Sequence, residues 1–349
     1  MISIGMDVHV RNSFLHAVDQ DGATLWRGRC ANRLGDLAEA LGRFEGESVR
    51  LSLESTTNSR AIHRLVSSTA AAMGLELSAQ VLDARKLRII AESVTKNDKF
   101  DAAVLAELTR VDLRLPACYL PDDEEFTLRE HLRARHDLVT LRTRVKNRVH
   151  AVLHRRGILV PSKMTLFSKN GQAFLADVDL DDAGRAILDR YLATIKQLEV
   201  VIAESTAALR DLSRQPRWSK PVALLTSMPG MGLITALMIL AELGDLNRFG
   251  NRSAVANYAG LVPVLRSSNT THHSGHITKR GSKHLRGVLI EAAWMAAPRV
   301  PRYQAMFERV AARRGRKIAV VAVARRMLED AWTMLKKDEA FRMTQSVAG

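Results

Sequence analysis

Cysteine is almost missing from this chain of 349 residues. Cys30 and Cys118 stand far apart with no CxxC, which excludes a disulfide framework and a cysteine-based zinc site and fits a reducing cytoplasm. Long apolar runs are missing too. The most hydrophobic stretch, GMGLITALMILA (230–241), falls short of the roughly 20 residues that a bilayer requires, and MISIGMDVHV has no basic segment ahead of an apolar one. A soluble cytoplasmic protein without membrane contact is therefore expected. Acidic residues are in deficit, with 37 Asp+Glu against 52 Lys+Arg, a net charge of +15. That imbalance favours a polyanion such as nucleic acid over an acidic or neutral small molecule. It is also localised, since residues 246–349 hold 19 Lys/Arg and 6 Asp/Glu.

The chain is long enough for two or three domains. In its first 118 residues strand and helix patterns alternate. Ile2, Ile4, Met6 and Val8 alternate with Ser3, Gly5 and Asp7, the period of a strand. SFLHAV (13–18) and TLWRGRC (24–30) follow around a Gln20-Asp21-Gly22 turn, completing a three-strand meander. Leu34–Phe44 and Arg60–Met73 have helical spacing, and VRLSLES (49–55) and LSAQVLD (77–83) read as strands. Five strands, with helices after the third, fourth and fifth, match the order of a ribonuclease-H-like α/β domain. Residues 119–215 change to long amphipathic helices. Leu128, Leu132, Leu138 to Val152 and Ile187 to Leu209 recur every three or four residues, the pattern of a helical hairpin serving either as ordinary core or as a coiled-coil arm for self-association. Residues 216–349 form a third, mostly helical domain. There Pro229-Gly230-Met231-Gly232 between two apolar helical runs resembles a helix-hairpin-helix, whose glycines let Gly230 and Gly232 bring backbone N–H groups to a phosphate; a plain turn between packed helices looks the same.

Four acids stand out. Asp7 lies in an apolar strand beside Gly5, and Glu54 closes the run Leu51, Leu53. A lone carboxylate in such surroundings is costly unless it finds a donor, a cation or a metal. In a ribonuclease-H-like sheet the first and fourth strands are neighbours, so these two acids converge. Asp98 and Asp101 are three apart at the start of a helix whose apolar side is Val104, Leu105 and Leu108, which puts both on one face. Taken singly, Asp98 serves equally well as an N-cap and Asp101 as a first-turn acid. As a set, four hard oxygen ligands suit Mg²⁺ or Mn²⁺, and two such ions about 4 Å apart stabilise the attacking and leaving oxygens of a phosphodiester.

GLVPVLRSSNTTHHSGHITKRGSKHLRGVLIEAAWMAA (260–297) joins a hydroxyl-rich loop, with Ser267, Ser268, Thr270, Thr271 and Ser274, to Lys279, Arg280, Lys283 and Arg286 at the start of an apolar helix. Hydroxyls beside phosphate-binding cations suit a nucleophile at a phosphodiester, although a solvated loop has the same composition. His272, His273 and His276 lack a fourth ligand at metal-site spacing.

GMDVHV with Asp7, LSLES with Glu54, KNDKFDA with Asp98 and Asp101, SMPGMG, YAGLVP, RSSN and HITKRGSKHLR occur in an order similar to that in transposases of the insertion sequence 110 family, relatives of the Piv-type DNA invertases. The resemblance covers nearly the whole chain. It implies an N-terminal RuvC-like domain whose DEDD set is Asp7, Glu54, Asp98 and Asp101, a C-terminal transposase domain with a catalytic serine, and a bridge RNA as partner. The serine falls on Ser268, with Ser267 adjacent. Asn269 replaces a common glycine, and Asn97 a threonine. The implied activity is cutting and rejoining DNA, by serine attack assisted by the carboxylate-bound metal. With catalytic parts on separate domains and two DNA molecules to join, a site composed across a homodimer or homotetramer is expected, along with a basic C-terminal helix (Arg313, Arg314, Arg316, Lys317, Arg325, Arg326) that tracks nucleic-acid backbone. The rival reading is a RuvC-like junction nuclease using metal-activated water. A sugar-kinase or actin-type fold requires a Gly/Thr-rich phosphate loop after the first aspartate, and His9-Val10-Arg11-Asn12 offers none. A purely structural nucleic-acid-binding protein would tolerate Asp7→Ala.

Overall fold

A computed structural model of the protein describes residues 1–83, 98–111, 115–268 and 271–343; the side chains of 98–100, 265–268 and 271–274 are outside that description. Contacts divide the chain into Met1–Leu120 and Pro121–Gly349.

The first unit is a five-stranded mixed sheet. Its strands are β1 (Ile2–Val8), β2 (Asn12–Val18), β3 (Thr24–Ala31), β4 (Val49–Glu54) and β5 (Leu77–Leu82), in the spatial order β3-β2-β1-β4-β5. β2 runs antiparallel to β1 and β3, whereas β1, β4 and β5 are parallel. The strand alternation seen in sequence sorts the two faces. Ile4, Met6, Leu15, Leu51 and Leu53 are fully buried in one core with Leu37 and Leu41 of α1 (Leu34–Gly42) and Val66 of α2 (Ser59–Ala72). The opposite face carries Ser3, Gly5, Asp7, Ser52 and Glu54 and is covered by α3 (Asp98–Arg110).

That covering is unusually close. A Cβ at Gly5 would stand 2.0 Å from the Ala102 carbonyl oxygen and 2.3 Å from the Ala106 nitrogen, so the helix and strand backbones touch with no side chain between them. Ala102, Leu105, Ala106 and Thr109 are the buried stripe, while Val104, expected on it, is half-buried. Small residues on the helix match the missing Cβ on the strand. The polar groups trapped below are satisfied: Thr109 Oγ1 lies 2.7 Å from Ser52 Oγ, which also accepts from Gln80 Nε2 at 2.9 Å.

The second unit is helical apart from one hairpin. α4 (Asp123–His154) and α6 (Asp182–Ser213) are antiparallel, joined by Arg135 Nε to Thr206 Oγ1 at 2.7 Å and by the Lys146–Glu199 pair at 3.6 Å. Near the connection, α5 (Lys169–Asp177) helps to enclose a small core of Val149, Val152, Leu153, Leu175 and Leu188. At the other end Leu128, Leu132 and Leu209 join the main core, built on α7 (Pro216–Thr226), α8 (Leu233–Leu243), α9 (Arg252–Tyr258), α10 (Lys283–Ala296), α11 (Pro301–Arg314) and α12 (Arg316–Lys337). α8 is buried from Ala236 to Leu243, a stretch apolar on every side but for Glu242. Arg217 fastens α7 to the first turn of α4 through Asp122 at 2.6 Å, Glu124 at 2.8 Å and Glu125 at 3.0 Å. Partial burial pushes the Asp122 carboxyl up, and Arg217 together with the Glu125 N–H holds it below its usual range on balance. Among the described residues no helix is long and apolar enough to cross a membrane.

Replacing Gly5 with alanine forces backbone displacement rather than a rotamer change. The N-terminal unit of Gly5→Ala should lose about 3 kcal/mol, read as a lower midpoint in thermal or urea unfolding, while the helical unit's transition stays put.

Candidate functional site

β1 and β4 pair in parallel with Gly5 opposite Ser52 and Met6 opposite Leu53. Asp7 and Glu54 follow the last paired step on these adjacent strands, near the same end of the sheet. Asp7 is 15% exposed in its side chain, and His9 Nε2 lies 3.3 Å from its Oδ2. The chain after β1 is held at the His9 carbonyl, which accepts from Asn32 Nδ2 at 2.8 Å and Asn58 Nδ2 at 3.0 Å. These two asparagines, one before α1 and one at the start of α2, were not singled out in the sequence. Asn58 precedes a helix and Asn32 a short turn, where such residues are common, so only the fold reveals the carbonyl they share.

α3 runs against the direction of β1. Its last residue, Arg110, donates from Nη1 to the Gln20 carbonyl at 3.0 Å, beyond the end of β2 where β1 begins. The first turn of α3 thus lies toward the edge that Asp7 and Glu54 occupy. From the Gly5–Ala102 crossing, Asp7 is two strand residues away, about 7 Å, and position 98 is four helical residues away, about 6 Å. Asp101 is half-buried immediately beside the crossing. The strand register and the direction of α3 put Asp7, Glu54 and the first turn of α3 toward the same end of the sheet, without gathering Asp7, Glu54 and Asp101 into a metal-holding group. Among the described residues no three His, Cys, Asp or Glu side chains are grouped closely enough to hold a metal ion, and the Asp98 side chain and Asn97 lie outside them.

In the second unit the hydroxyl-rich segment, expected as a loop, is an antiparallel hairpin of β6 (Pro263–Ser268) and β7 (Thr271–Ile277). Ser268 is the last residue of β6 and pairs with Thr271, and Ser267 pairs with His272. Asn269, Thr270 and the side chains of Ser267 and Ser268 are outside the described residues. The hairpin's base is locked by two glycines. A Cβ at Gly260 would lie 2.0 Å from the Arg280 carbonyl oxygen, and one at Gly281 would lie 2.0 Å from that of Tyr258. Both take positive φ, +68° and +78°. Arg286 clamps the same knot, its Nη1 donating to the carbonyls of Ala259 at 3.0 Å, Arg280 at 2.9 Å and Gly281 at 3.2 Å. Arg286 is thus tied to the fold, unlike Lys279, Arg280 and Lys283, which are exposed. Lys279 holds a left-handed φ of 52°, a strained conformation for a side-chain-bearing residue that the knot imposes.

Gly230 also packs backbone on backbone, its missing Cβ lying 2.7 Å from the Ala292 carbonyl oxygen of α10. Helix packing accounts for this glycine. Gly232 caps α8 and has open space where a Cβ would be. Arg325 and Arg326, expected on a nucleic-acid face, pair within α12 with Glu329 at 2.8 Å and Asp330 at 3.1 Å.

A family model described as "Transposase IS116/IS110/IS902 family" matches residues 222–308, across the PGMG turn, the glycine knot and the hairpin, and a DEDD-type IS110 transposase model matches residues 4–156, across all four acids. The chain belongs to the IS110 family of transposases. Relatives of this IS110-family chain include a putative transposase of Sinorhizobium fredii, 32% identical over 57% of this chain and 47% of its own length. The transposase for insertion sequence element IS1111A of Coxiella burnetii is 24% identical over 77% of this chain and 74% of its own. The pilin gene-inverting protein of Moraxella bovis is 27% identical over 36% and 40%. The chain thus spans about half the length of the first of these relatives and three quarters of the second.

Next to Lys283, the His284 ring meets that of His136 on α4 edge to face at 4.4 Å, and its Nδ1 is buried with no hydrogen-bond partner among the described residues. Burial first, then His136, Lys283 and Arg133, hold this imidazole below its usual 6.5. With the folded value depressed, the unfolded chain takes up the proton first, so stability is full above 6.5 and is lost as the pH falls through the window below it. Acidification from about pH 7 to about pH 5 should lower the unfolding midpoint of the helical unit more in wild type than in His284→Gln, as circular dichroism melts will read.

Proposed function

We propose that this IS110-family chain is a DNA recombinase of an insertion sequence, with a RuvC-like N-terminal domain (1–118), a helical arm (119–215) and a C-terminal transposase domain (216–349). The observation that supports the reading is a sheet ordered 3-2-1-4-5 whose strands β1 and β4, carrying Asp7 and Glu54, are neighbours, with α3 beginning toward the same end. Four carboxylates and no soft ligand make a donor set that fits Mg²⁺ or Mn²⁺. When bound there by Asp7, Glu54, Asp98 and Asp101, such a metal supplies charge stabilisation to a phosphodiester.

Ser268 is the nucleophile in this reading. Its Oγ forms a bond to phosphorus while the bond from phosphorus to the 3′-oxygen breaks, the serine proton ending on the departing 3′-hydroxyl. A second strand's 3′-hydroxyl then reverses the step, releasing the serine and joining the new DNA. This residue ends β6, in a hairpin whose base is held by the glycine knot, with Lys279, Arg280 and Lys283 following the hairpin to grip phosphates and Gly232 offering a bare helix start. His9, beside Asp7, positions that carboxylate. Donor and target DNA, a bridge RNA encoded by the element, and a second or further copies of the chain, in a homodimer or homotetramer, are the partners this reading names. It sets the protein in the bacterial cytoplasm, on the nucleoid when bound to DNA.

An excision assay on a plasmid carrying the flanking element, with and without its noncoding RNA, tests these assignments. Ser268→Ala and Asp7→Ala should each lose at least about a thousandfold in strand exchange, with Ser267→Ala close to wild type. A covalent protein–DNA adduct should form with wild type and disappear in Ser268→Ala. Cleavage that persists in Ser268→Ala but not in Asp7→Ala would instead identify a junction nuclease using water. Excision without the RNA would remove guidance as a requirement.

A further inference from the structure

α10 buries Leu285, Leu289, Ala292, Ala293 and Ala296 in the core. Trp294 falls on the other side of that helix and is 41% exposed, and its neighbour Met295 is 51% exposed. The indole meets the Phe307 ring of α11 edge to face at 5.7 Å, so its plane is fixed by packing. Arg316, at the start of α12, holds its guanidinium 5.9 Å from both ring centroids, the outer reach of a cation–π contact and well beyond flat stacking distance. Gly315, with φ +81°, breaks α11 from α12 and sets Arg313, Arg314, Arg316 and Lys317 in succession at an exposed corner, with Ile318, 51% exposed, just after them.

We infer that this corner binds single-stranded nucleic acid, with one unpaired base stacked on Trp294 and the neighbouring phosphates held by Arg316 and Lys317. An anchored aromatic beside a run of cations is the chemistry that takes unpaired nucleotides, since every base has a π-face and every linkage a charge. The charge also selects against a second copy of this chain as occupant. From Trp294 to Ile318 there are seven Lys/Arg and one acid, Glu308, so two such surfaces repel each other. Glu308 is engaged with Gln304 Nε2 at 2.9 Å, and Glu291, one turn before Trp294, is the one acid on the exposed side of α10. The inference rests on the reading above in naming nucleic acid as the partner, and on nothing in the serine or metal chemistry.

Fluorescence anisotropy of the full chain with labelled oligo(dT), oligo(U) and duplex DNA of one length tests it. Trp294→Ala should weaken single-strand binding by about 5- to 150-fold, Trp294→Phe should stay within about threefold of wild type, and duplex affinity should hold in both. Replacing Arg316 and Lys317 with glutamine should make the log–log salt dependence shallower by about 1.4. Comparison of the oligo(dT) and oligo(U) arms tells DNA from RNA, and tight binding of either supports the site. Unchanged single-strand affinity in a Trp294→Ala protein with a wild-type melting midpoint overturns it, as does an equal loss on duplex. A shift from dimer to monomer without loss of single-strand binding would give the patch to self-association and overturn it too. Failure to bind any of the three oligonucleotides would overturn the recombinase reading as well, whereas loss of excision alone would leave this site standing.

Discussion

Where α3 crosses β1, helix backbone stands against strand backbone, because Gly5 contributes no Cβ and Ala102 and Ala106 contribute the smallest facing surface. Everything at the acidic edge depends on that contact. A helix resting on larger side chains would ride higher above the sheet, and its first turn would no longer start at the level of Asp7 and Glu54. The crossing also fixes the axial position of the helix, since Thr109 meets Ser52 on the neighbouring strand and Arg110 reaches the turn at Gln20. Three contacts along one helix leave it no freedom to slide, and the acids at its start inherit that precision.

The second unit uses the same device at another scale. Gly260 and Gly281 let two chain segments interlock through their carbonyls, and Arg286 ties the knot from the adjacent helix. A positively charged group aimed at three carbonyl dipoles is strongly held, and it turns a crossing of two loops into a rigid base for the β6–β7 hairpin. The left-handed φ of Lys279 is part of the cost. In both units, glycine makes a close approach possible and a chemically useful residue stands a few positions away.

How much of this was legible follows from where each signal lives. The alternation in Ile2–Val8 revealed the strand, its buried face and the odd placement of Asp7, because period-two burial is written residue by residue. The neighbouring of β1 and β4 required a fold-level analogy, and the register then put Asp7 and Glu54 just past its last paired step, Met6 opposite Leu53. The segment 263–277 read as a loop from its serines and threonines, yet Val264 and Leu265 on one side and Thr271, the histidines and Ile277 on the other make two pairable strands, and only their pairing discloses them. Val104 looked like the buried side of α3 because it is large and apolar, but the close crossing at Gly5 selects alanine. The Arg286 clamp and the asparagines on the His9 carbonyl lie between residues far apart in sequence, beyond the reach of spacing or composition.

Net charge shows the same division. A charge of +15 states that a polyanion is attracted, without stating where it lands. Much of the positive charge is committed inside the fold: Arg217 to three acids, Arg302 to Asp330, Arg325 and Arg326 to their own helix, Arg286 to carbonyls. A guanidinium held in that way still adds to the long-range field, but it cannot leave its partner to meet a phosphate without exposing a bonded group. In the proposed reading contact falls to exposed cations at rigid corners, Lys279, Arg280 and Lys283 beside the glycine knot and Arg316 and Lys317 after Gly315. Both corners are made by a backbone conformation that favours glycine, so the glycines, which carry no charge, decide where the charge acts.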